Sequence, residues 1–403
     1  MTPIAIKKLI VNKNMKHYNF DEVIERHGTS CVKFDRLKEM FGDENLIPLW
    51  VADMDFRTPD FIVEALKKRC EHEIFGYTFG SDEYYESIIN WVHYKHNWKI
   101  QREWISYIPG IVKGIAFAIQ CFTQKGDKVI IQPPVYHPFR IVPEKMKREV
   151  VYNPLKMADG IYEMDFDHLE SIIDDECKVL ILCNNPGGIV WKKETLVRLA
   201  DICAKHNILV ISDEIHAEMA YPQYTHYPFA SVSDTAASCS VTFMAPSKTF
   251  NIAGIVTSYA IVPNDRIREE FYSFLEAGEF GDGTIFAYTA TTAAYTYGAE
   301  WLQQMRMYIM ENVRFVEEFM KQHLPKIKVY QPQASFLVWL DCRELKLSQD
   351  ELVHLFKDKA GLALNDGSIF GPGGEGHMRL NIGCPRSVLD KAMNALKKAV
   401  DKK

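Results

Sequence analysis

The chain has 403 residues, too many for one small core, so two domains or one large α/β domain with additions are expected. Hydrophobic residues make up 47% and charged residues 25%, the balance of a soluble globular chain rather than a disordered one. A formal net charge of -6 provides no electrostatic case for a nucleic-acid partner. The longest apolar region, residues 104–122, is interrupted by Pro109, Gly110 and Lys113, which excludes a membrane span there.

Residues 1–14 carry lysines but lack the apolar core and cleavage site of a signal peptide, and they read as an extension ahead of a folded protein that starts near Met15. From there to residue 57 the pattern is irregular. Past that segment, short apolar runs alternate with helical patterns. Ile105–Ile108 is strand-like and Ile115–Phe122 helix-like. Residues 128–132, 178–183, 208–212, 240–244 and 258–262 read as strands buried on both faces of a covered, mostly parallel sheet. Leu196, Leu199, Ala200 and Cys203 recur at helical spacing between two of them, which makes a βαβ crossover. A continuous helical pattern from Gly298 to Leu324, stopped by Pro325, marks a boundary near residue 300. Strand signals at 335–340 and 378–382 and helical ones at 349–359 and 387–402 then predict a smaller α+β C-terminal domain. The expected division is 1–57 as an arm contributing to the small domain, 58–300 as a large domain and 301–403 as the small one.

Nine cysteines are widely spaced with no C-x-x-C pair. Cys183 ends an apolar run and Cys203 lies on an apolar helix face, so both read as buried free thiols. That fits a reducing compartment, the cytoplasm.

In open α/β sheets ligands bind beyond the carboxyl ends of the strands. The residues there are Pro133-Pro134-Val135-Tyr136, Asn184-Asn185-Pro186-Gly187-Gly188, Asp213-Glu214-Ile215-His216 and Ala245-Pro246-Ser247-Lys248. Each has an ordinary reading by itself: Asp213 and Ser247 as caps or turn residues, Lys248 as a surface lysine. Together they deliver an aromatic, an amide, a carboxylate, a hydroxyl and an amine to one edge, the set that pyridoxal phosphate needs. Lys248 offers the amine for the cofactor's aldehyde. Asp213 offers the carboxylate that keeps the ring nitrogen protonated. Tyr136 is placed to stack on the ring and Asn185 to donate to its 3-oxygen. Ser247 offers a hydroxyl and Gly110-Ile111-Val112-Lys113, between a strand-like and a helix-like stretch, offers amides, and both suit the phosphate.

Two competing motifs fall away. Asp-Glu-Ile-His also occurs in helicases, but no G-x-x-x-x-G-K-[ST] loop accompanies it. His93 and His96, beside Trp91 and Trp98, read as helix histidines rather than metal ligands, and no metal site is expected.

The stretches LWVADMDF (49–56), GYTFG (76–80), PGIVKG (109–114), QPPVYHPF (132–139), SDEIHAEM (212–219), APSKTFNIAG (245–254) and MRLNIGCPR (378–386) resemble the fold-type I pyridoxal-phosphate enzymes. Within them the chain is similar to the MalY/PatB-type cystathionine β-lyases, relatives of the class I/II aminotransferases. The resemblance implies an α/β fold with a large domain built on a mostly parallel seven-stranded sheet flanked by helices. It implies Lys248 as the cofactor lysine, Asp213 at the ring nitrogen and Tyr136 on the ring face. It implies Asn185 at the 3-oxygen, and Ser247, Val112 and Lys113 around the phosphate. Arg379 matches the arginine that grips a substrate α-carboxylate through two parallel hydrogen bonds. Tyr77 matches a tyrosine that reaches the neighbouring subunit's cofactor phosphate, which implies a homodimer with shared active sites. His216 stands where many aminotransferases place a tyrosine. The family turn Asn-Pro-x-Asn-Pro-x-Gly is two residues shorter here. The implied activity is cleavage of cystathionine, cystine or a related cysteine S-conjugate, a small amino-acid substrate, to a thiol, pyruvate and ammonia. The alternative is amino-group transfer to a 2-oxo acid on the same scaffold.

Overall fold

Val179, Leu180, Ile181 and Leu182 are enclosed on both sides, as a strand needs when helices cover each face of its sheet. The computed structural model describes residues 16–158, 160–183 and 188–401. Seven strands form the large sheet: β1 (Ile105–Ile108), β2 (Lys128–Ile131), β3 (Glu149–Tyr152), β4 (Cys177–Leu182), β5 (Leu209–Asp213), β6 (Ser240–Met244) and β7 (Ser258–Ile261). Their order is β1-β7-β6-β5-β4-β2-β3. The five from β6 to β3 run parallel, while β7 is antiparallel to both of its neighbours. β3 at the edge has no counterpart in the sequence reading, because its alternation is short and half exposed.

The helices that matter for the site are α1 (Asp60–Cys70), α2 (Asp82–His96), α3 (Ile111–Phe122), α4 (Lys193–Lys205), α5 (Ile285–Tyr297), α6 (Ala299–His323) and α7 (Arg386–Asp401). Ser81 and Thr284 cap α2 and α5 by accepting from the amides of Tyr84 and Ala287, which satisfies donors that a helix start leaves free. The crossover helix α4 buries Leu196, Leu199, Ala200 and Cys203, the predicted face. The long helical pattern after Gly298 is α6, whose buried Trp301, Leu302, Met305, Ile309, Val313, Val316 and Met320 form one stripe.

The C-terminal region carries a four-stranded antiparallel sheet of β8 (Lys328–Tyr330), β9 (Leu337–Asp341), β10 (Asn365–Asp366) and β11 (His377–Asn381), in the order β8-β9-β11-β10. Gln349–His354 is an α-helix that continues as a wider π turn over Leu355–Lys359. Inside this region Asn312 of α6 donates to the carbonyls of Ile382 (3.0 Å) and Cys384 (2.9 Å) and accepts from Arg386 (2.8 Å).

The N-terminal segment joins this second sheet region. Ile47–Pro48 pairs in parallel with Leu362–Ala363, and Leu49 bonds to Ala363 and Asn381. The segment then crosses to the large sheet, where Asn251 binds the backbone of Met54 and Phe56. The apolar core is continuous across the crossing: Phe20, Met54 and Phe56 pack in the cluster that holds Trp91, Phe250, Trp301 and Leu380.

Gly114, in the second turn of α3, allows that helix to press on the sheet. A Cβ there would lie 2.8 Å from the side chain of Ile108 and 2.9 Å from that of Phe243. Gly114→Ala is therefore expected to destabilise the protein by about 1–3 kcal/mol through overpacking, read as a lower midpoint of chemical unfolding.

Candidate active site

Four strand ends and one helix start meet around a cavity of about 350 Å³. It is lined by Tyr136 after β2, Cys183 after β4, Asp213 and His216 after β5, Ser247 and Lys248 after β6, and Val112 and Lys113 in the first turn of α3. Tyr136, Asp213, His216, Ser247 and Lys248, five site residues predicted from the strand ends, thus share one space, together with the two α3 residues whose amides have no partner inside their helix. Gly110 (φ 104) makes the turn into α3, and its amide bonds to the Ser258 hydroxyl at 3.0 Å.

Asp213 is the last residue of β5 and is 5% exposed. Burial pushes its carboxyl up to about 7, against the lowering effects of the Ile215 amide (3.0 Å) and the Lys248 amine; Glu214 adds to the rise. Lys248 lines the cavity and its amine donates to the Ala52 carbonyl. Withdrawal of that amine from bulk water lowers it to about 8. The charge of Asp53 opposes that fall most strongly and Asp213 helps, while Arg379 and Lys33 add to it.

His216 is buried with its Nδ1 3.3 Å from the Ser335 hydroxyl and its ring against Phe336. Burial first, then Lys248 and Arg379, hold the imidazole down to about 3, so it is neutral at physiological pH. Burial likewise raises the Tyr136 phenol, partly offset by Arg379.

Arg379 does not line this cavity. It sits on β11, 4% exposed, and donates from Nη2 to Asn365 (2.6 Å) and to the Trp50 carbonyl (3.2 Å), with its guanidinium over the Phe370 ring. Burial lowers it to about 10, where it is still a cation at neutral pH. An arginine buried to this degree and held by these contacts is not a surface ion pair. Its charge reaches Tyr136, His216 and Lys248, which locates it at the same centre.

Other predicted residues stand apart. Tyr77 is fully exposed on the loop between α1 and α2 and does not contribute to its own chain's cavity. Asn185 and the shortened turn that carries it lie outside the described residues. Of the two cysteines expected to be buried, Cys203 is buried, whereas Cys183 is only half-buried because it forms cavity wall. His93 is exposed, while the His96 side chain is enclosed, with Nε2 3.9 Å from Glu218.

Sequence reasoning also missed wall residues. Ala52, Val256, Thr257 and Ser258 line the cavity without any motif chemistry of their own. Asn365, which orients Arg379, is an unremarkable asparagine until β10 and β11 pair at Asn365↔Arg379.

A model of the family "Aminotransferase class I and II" matches residues 44–396. The chain is 44% identical to the cystathionine beta-lyase PatB of Bacillus subtilis (strain 168), over 95% of this chain and 100% of that protein. It is 34% identical to protein MalY of Escherichia coli (strain K12), over 95% and 99% of the two chains. Among solved structures, cystalysin from Treponema denticola, which contains a pyridoxal 5'-phosphate cofactor, superposes with a TM-score of 0.93 at 35% identity, over 96% of this chain and 100% of that one. A sheet with this strand order, a cavity at its carboxyl edge and likeness along almost the whole length agree, and the chain belongs to the aminotransferase class I and II family, in the branch that holds PatB and MalY.

Proposed function

We propose that this protein is a pyridoxal-phosphate-dependent C–S β-lyase that takes cystathionine, cystine or a related cysteine S-conjugate and, with one water, yields a thiol, pyruvate and ammonia. The observation that carries the reading is the pair of Lys248, part-buried, and Asp213, buried, on the walls of one cavity at the strand ends. Burying an unpaired carboxylate is costly, and a cationic ring nitrogen beside Asp213 would offset that cost. The donor set therefore fits the cofactor: Lys248 for the aldehyde, Asp213 for the ring nitrogen, Tyr136 for the ring face. Ser247 with the Val112 and Lys113 amides suits the phosphate, and Asn185 is assigned to the 3-oxygen. When bound, pyridoxal phosphate supplies a sink for the electron pair released as a Cα–H bond breaks.

The rest falls to the chain's own groups. Arg379, oriented by Asn365, takes the substrate α-carboxylate and so fixes Cα near the base. The Lys248 amine, held at about 8, takes the Cα proton on Nζ. A group lowered in this way has more of its neutral, basic form at pH 7 than a surface lysine, and that form grows as pH rises toward 8 and beyond. His216, neutral at physiological pH, is a hydrogen-bonding neighbour rather than a proton store.

The active unit proposed is a homodimer, with Tyr77 serving the partner's phosphate site. The exposed side chains around it, Ile74, Phe75 and Phe79, form the apolar patch expected of a subunit contact. We further assign residues 58–300 to the large domain and 301–403 to the small one, with the segment up to 57 joined to the latter, as its pairing with Leu362–Ala363 supports. Among the described residues no helix is long and apolar enough to cross a membrane. The nine cysteines, each a free thiol, suit a reducing cytoplasm.

Purified protein mixed with L-cystathionine or L-cystine is expected to release pyruvate steadily with no 2-oxo acid added. Dependence on an added 2-oxo acid would instead establish the aminotransferase reading. Lys248→Ala is expected to abolish the visible absorbance of bound cofactor and to reduce turnover severely, as followed by spectrum and pyruvate release. Asp213→Ala should keep some cofactor but lose at least ~10²-fold in rate. In the cofactor-free protein the raised Asp213 carboxyl has the opposite consequence. Its folded value lies above its unfolded one, so the stability it contributes is complete at acid pH and lost as pH rises through about 7. Cofactor-free Asp213→Asn should therefore be more stable than the parent above pH 7, by on the order of 2–4 kcal/mol, with the gap closing at acid pH in thermal or urea unfolding.

A further inference from the structure

The strap of residues 50–56 passes between Lys248 and Arg379, and its carbonyls are shared out among cations and amides. Trp50 accepts from Arg379 (3.2 Å), Val51 from Asn381 (2.5 Å), Ala52 from Lys248, and Asp53 from Asn381 (2.7 Å) and Lys33 (3.3 Å). The residue after the carbonyl that Lys248 touches is Asp53. Its Oδ2 accepts from Arg26 at 2.8 Å, and its Oδ1 lies 3.7 Å from the Lys33 amine, beyond hydrogen-bond reach. Lys33 is a wholly buried cation whose close partner is Asp55 at 2.7 Å, and Asp55 also accepts from Arg26 at 2.5 Å. Four charges thus form a closed group one peptide away from the proposed base. They balance one another in sum, yet they are not equally placed. Asp53 is the member with an oxygen left over.

We propose that Asp53 is a positioning residue for Lys248: its carboxylate, anchored by Arg26 and Lys33 next to the Ala52 peptide, favours the protonated Lys248 nitrogen and so governs how firmly that nitrogen holds the proton it takes from Cα. The inference rests on the reading of Lys248 as cofactor lysine and base. The charged and titratable groups facing Lys248 are Asp53 and Lys33 from the N-terminal segment, Asp213 and His216 from the end of β5, and Arg379 from β11. Among the carboxylates Asp53 acts on the amine more strongly than Asp213, and Lys33 acts against it. Asp213 is on the cavity wall, where it is assigned to the ring nitrogen, whereas Asp53 is not among the residues lining that cavity. An acid–base group that first accepts and later returns a proton needs its charged form stabilised, and a fixed carboxylate does this without moving.

The test is a spectroscopic titration of the holoenzyme without substrate, in which the visible band of the cofactor joined to Lys248 reports the proton on that nitrogen. Asp53→Asn keeps the side-chain shape and should move the midpoint down by about 1 pH unit, since a fixed negative charge is lost. Lys33→Gln, which removes the opposing charge, should move it up. Asp55→Asn opens the same ion group farther from Lys248 and should move it less than Asp53→Asn does. An unmoved midpoint in Asp53→Asn overturns the proposal, as do equal shifts in Asp53→Asn and Asp55→Asn or a downward shift in Lys33→Gln. If Lys33→Gln does not fold, the two aspartate variants decide. A parent protein with no visible band removes the proposed cofactor and this inference together. A band present in the parent but unmoved in Asp53→Asn removes this inference alone.

Discussion

Charge held away from bulk water at the carboxyl edge of the sheet is the constraint on which this protein's site depends. Asp213, Lys248 and Arg379 are each pushed toward their neutral forms, to about 7, 8 and 10, and burial is the first cause in all three. Such groups stay in place only when the surrounding fold is rigid enough to forbid their escape to solvent. Here rigidity comes from where each one sits. Asp213 ends a strand paired on both sides, Lys248 follows the next strand, and Arg379 is in the middle of a paired strand of the smaller sheet. The same burial makes them useful, because a ligand carrying complementary charge meets them with little competing hydration.

A second layer of buried charge holds the loops that present these groups. Glu214, next to Asp213, accepts from Ser212 (2.8 Å), the Phe229 amide (2.9 Å) and His226 (2.6 Å). Glu218 accepts from Trp91 (3.1 Å) and from Thr249 (3.2 Å), the residue after Lys248. Their partners hold both carboxyls below the usual range despite burial. The acidic residues of SDEIHAEM therefore divide by task. Asp213 faces the cavity with few donors, whereas Glu214 and Glu218 are saturated with them and tie α2, β5 and the Lys248 turn into one body.

The N-terminal strap adds coupling between the two sheets. It pairs with Leu362–Ala363 at one end and is clasped by Asn251, three residues after Lys248, at the other. Between these points it touches both Arg379 and Lys248. The spacing of these two cations therefore depends on where the strap lies between the sheets. A motif such as LWVADMDF, with no nucleophile, fits a role of this mechanical and electrostatic kind.

Much of this was legible in the amino-acid order. Buried strands announce themselves through unbroken apolar runs, so the five central strands, the crossover helix and the residues at their carboxyl ends follow from local pattern together with the rule that ligands bind there. Lys248, Asp213, Tyr136, His216, Ser247 and the α3 start are local in that sense, each a fixed step beyond an element. Groups whose meaning arises from pairing across distance were not legible. Asn365 orients Arg379 only because two strands come into register, and Ala52 receives Lys248 only because a segment 196 residues earlier crosses the sheet edge. The antiparallel direction of β7 and the closed group of Lys33, Asp53, Arg26 and Asp55 are of the same kind. Local spacing determines which side chains an element can present. Which charges become neighbours, and how far burial shifts them, is decided only when distant segments pack.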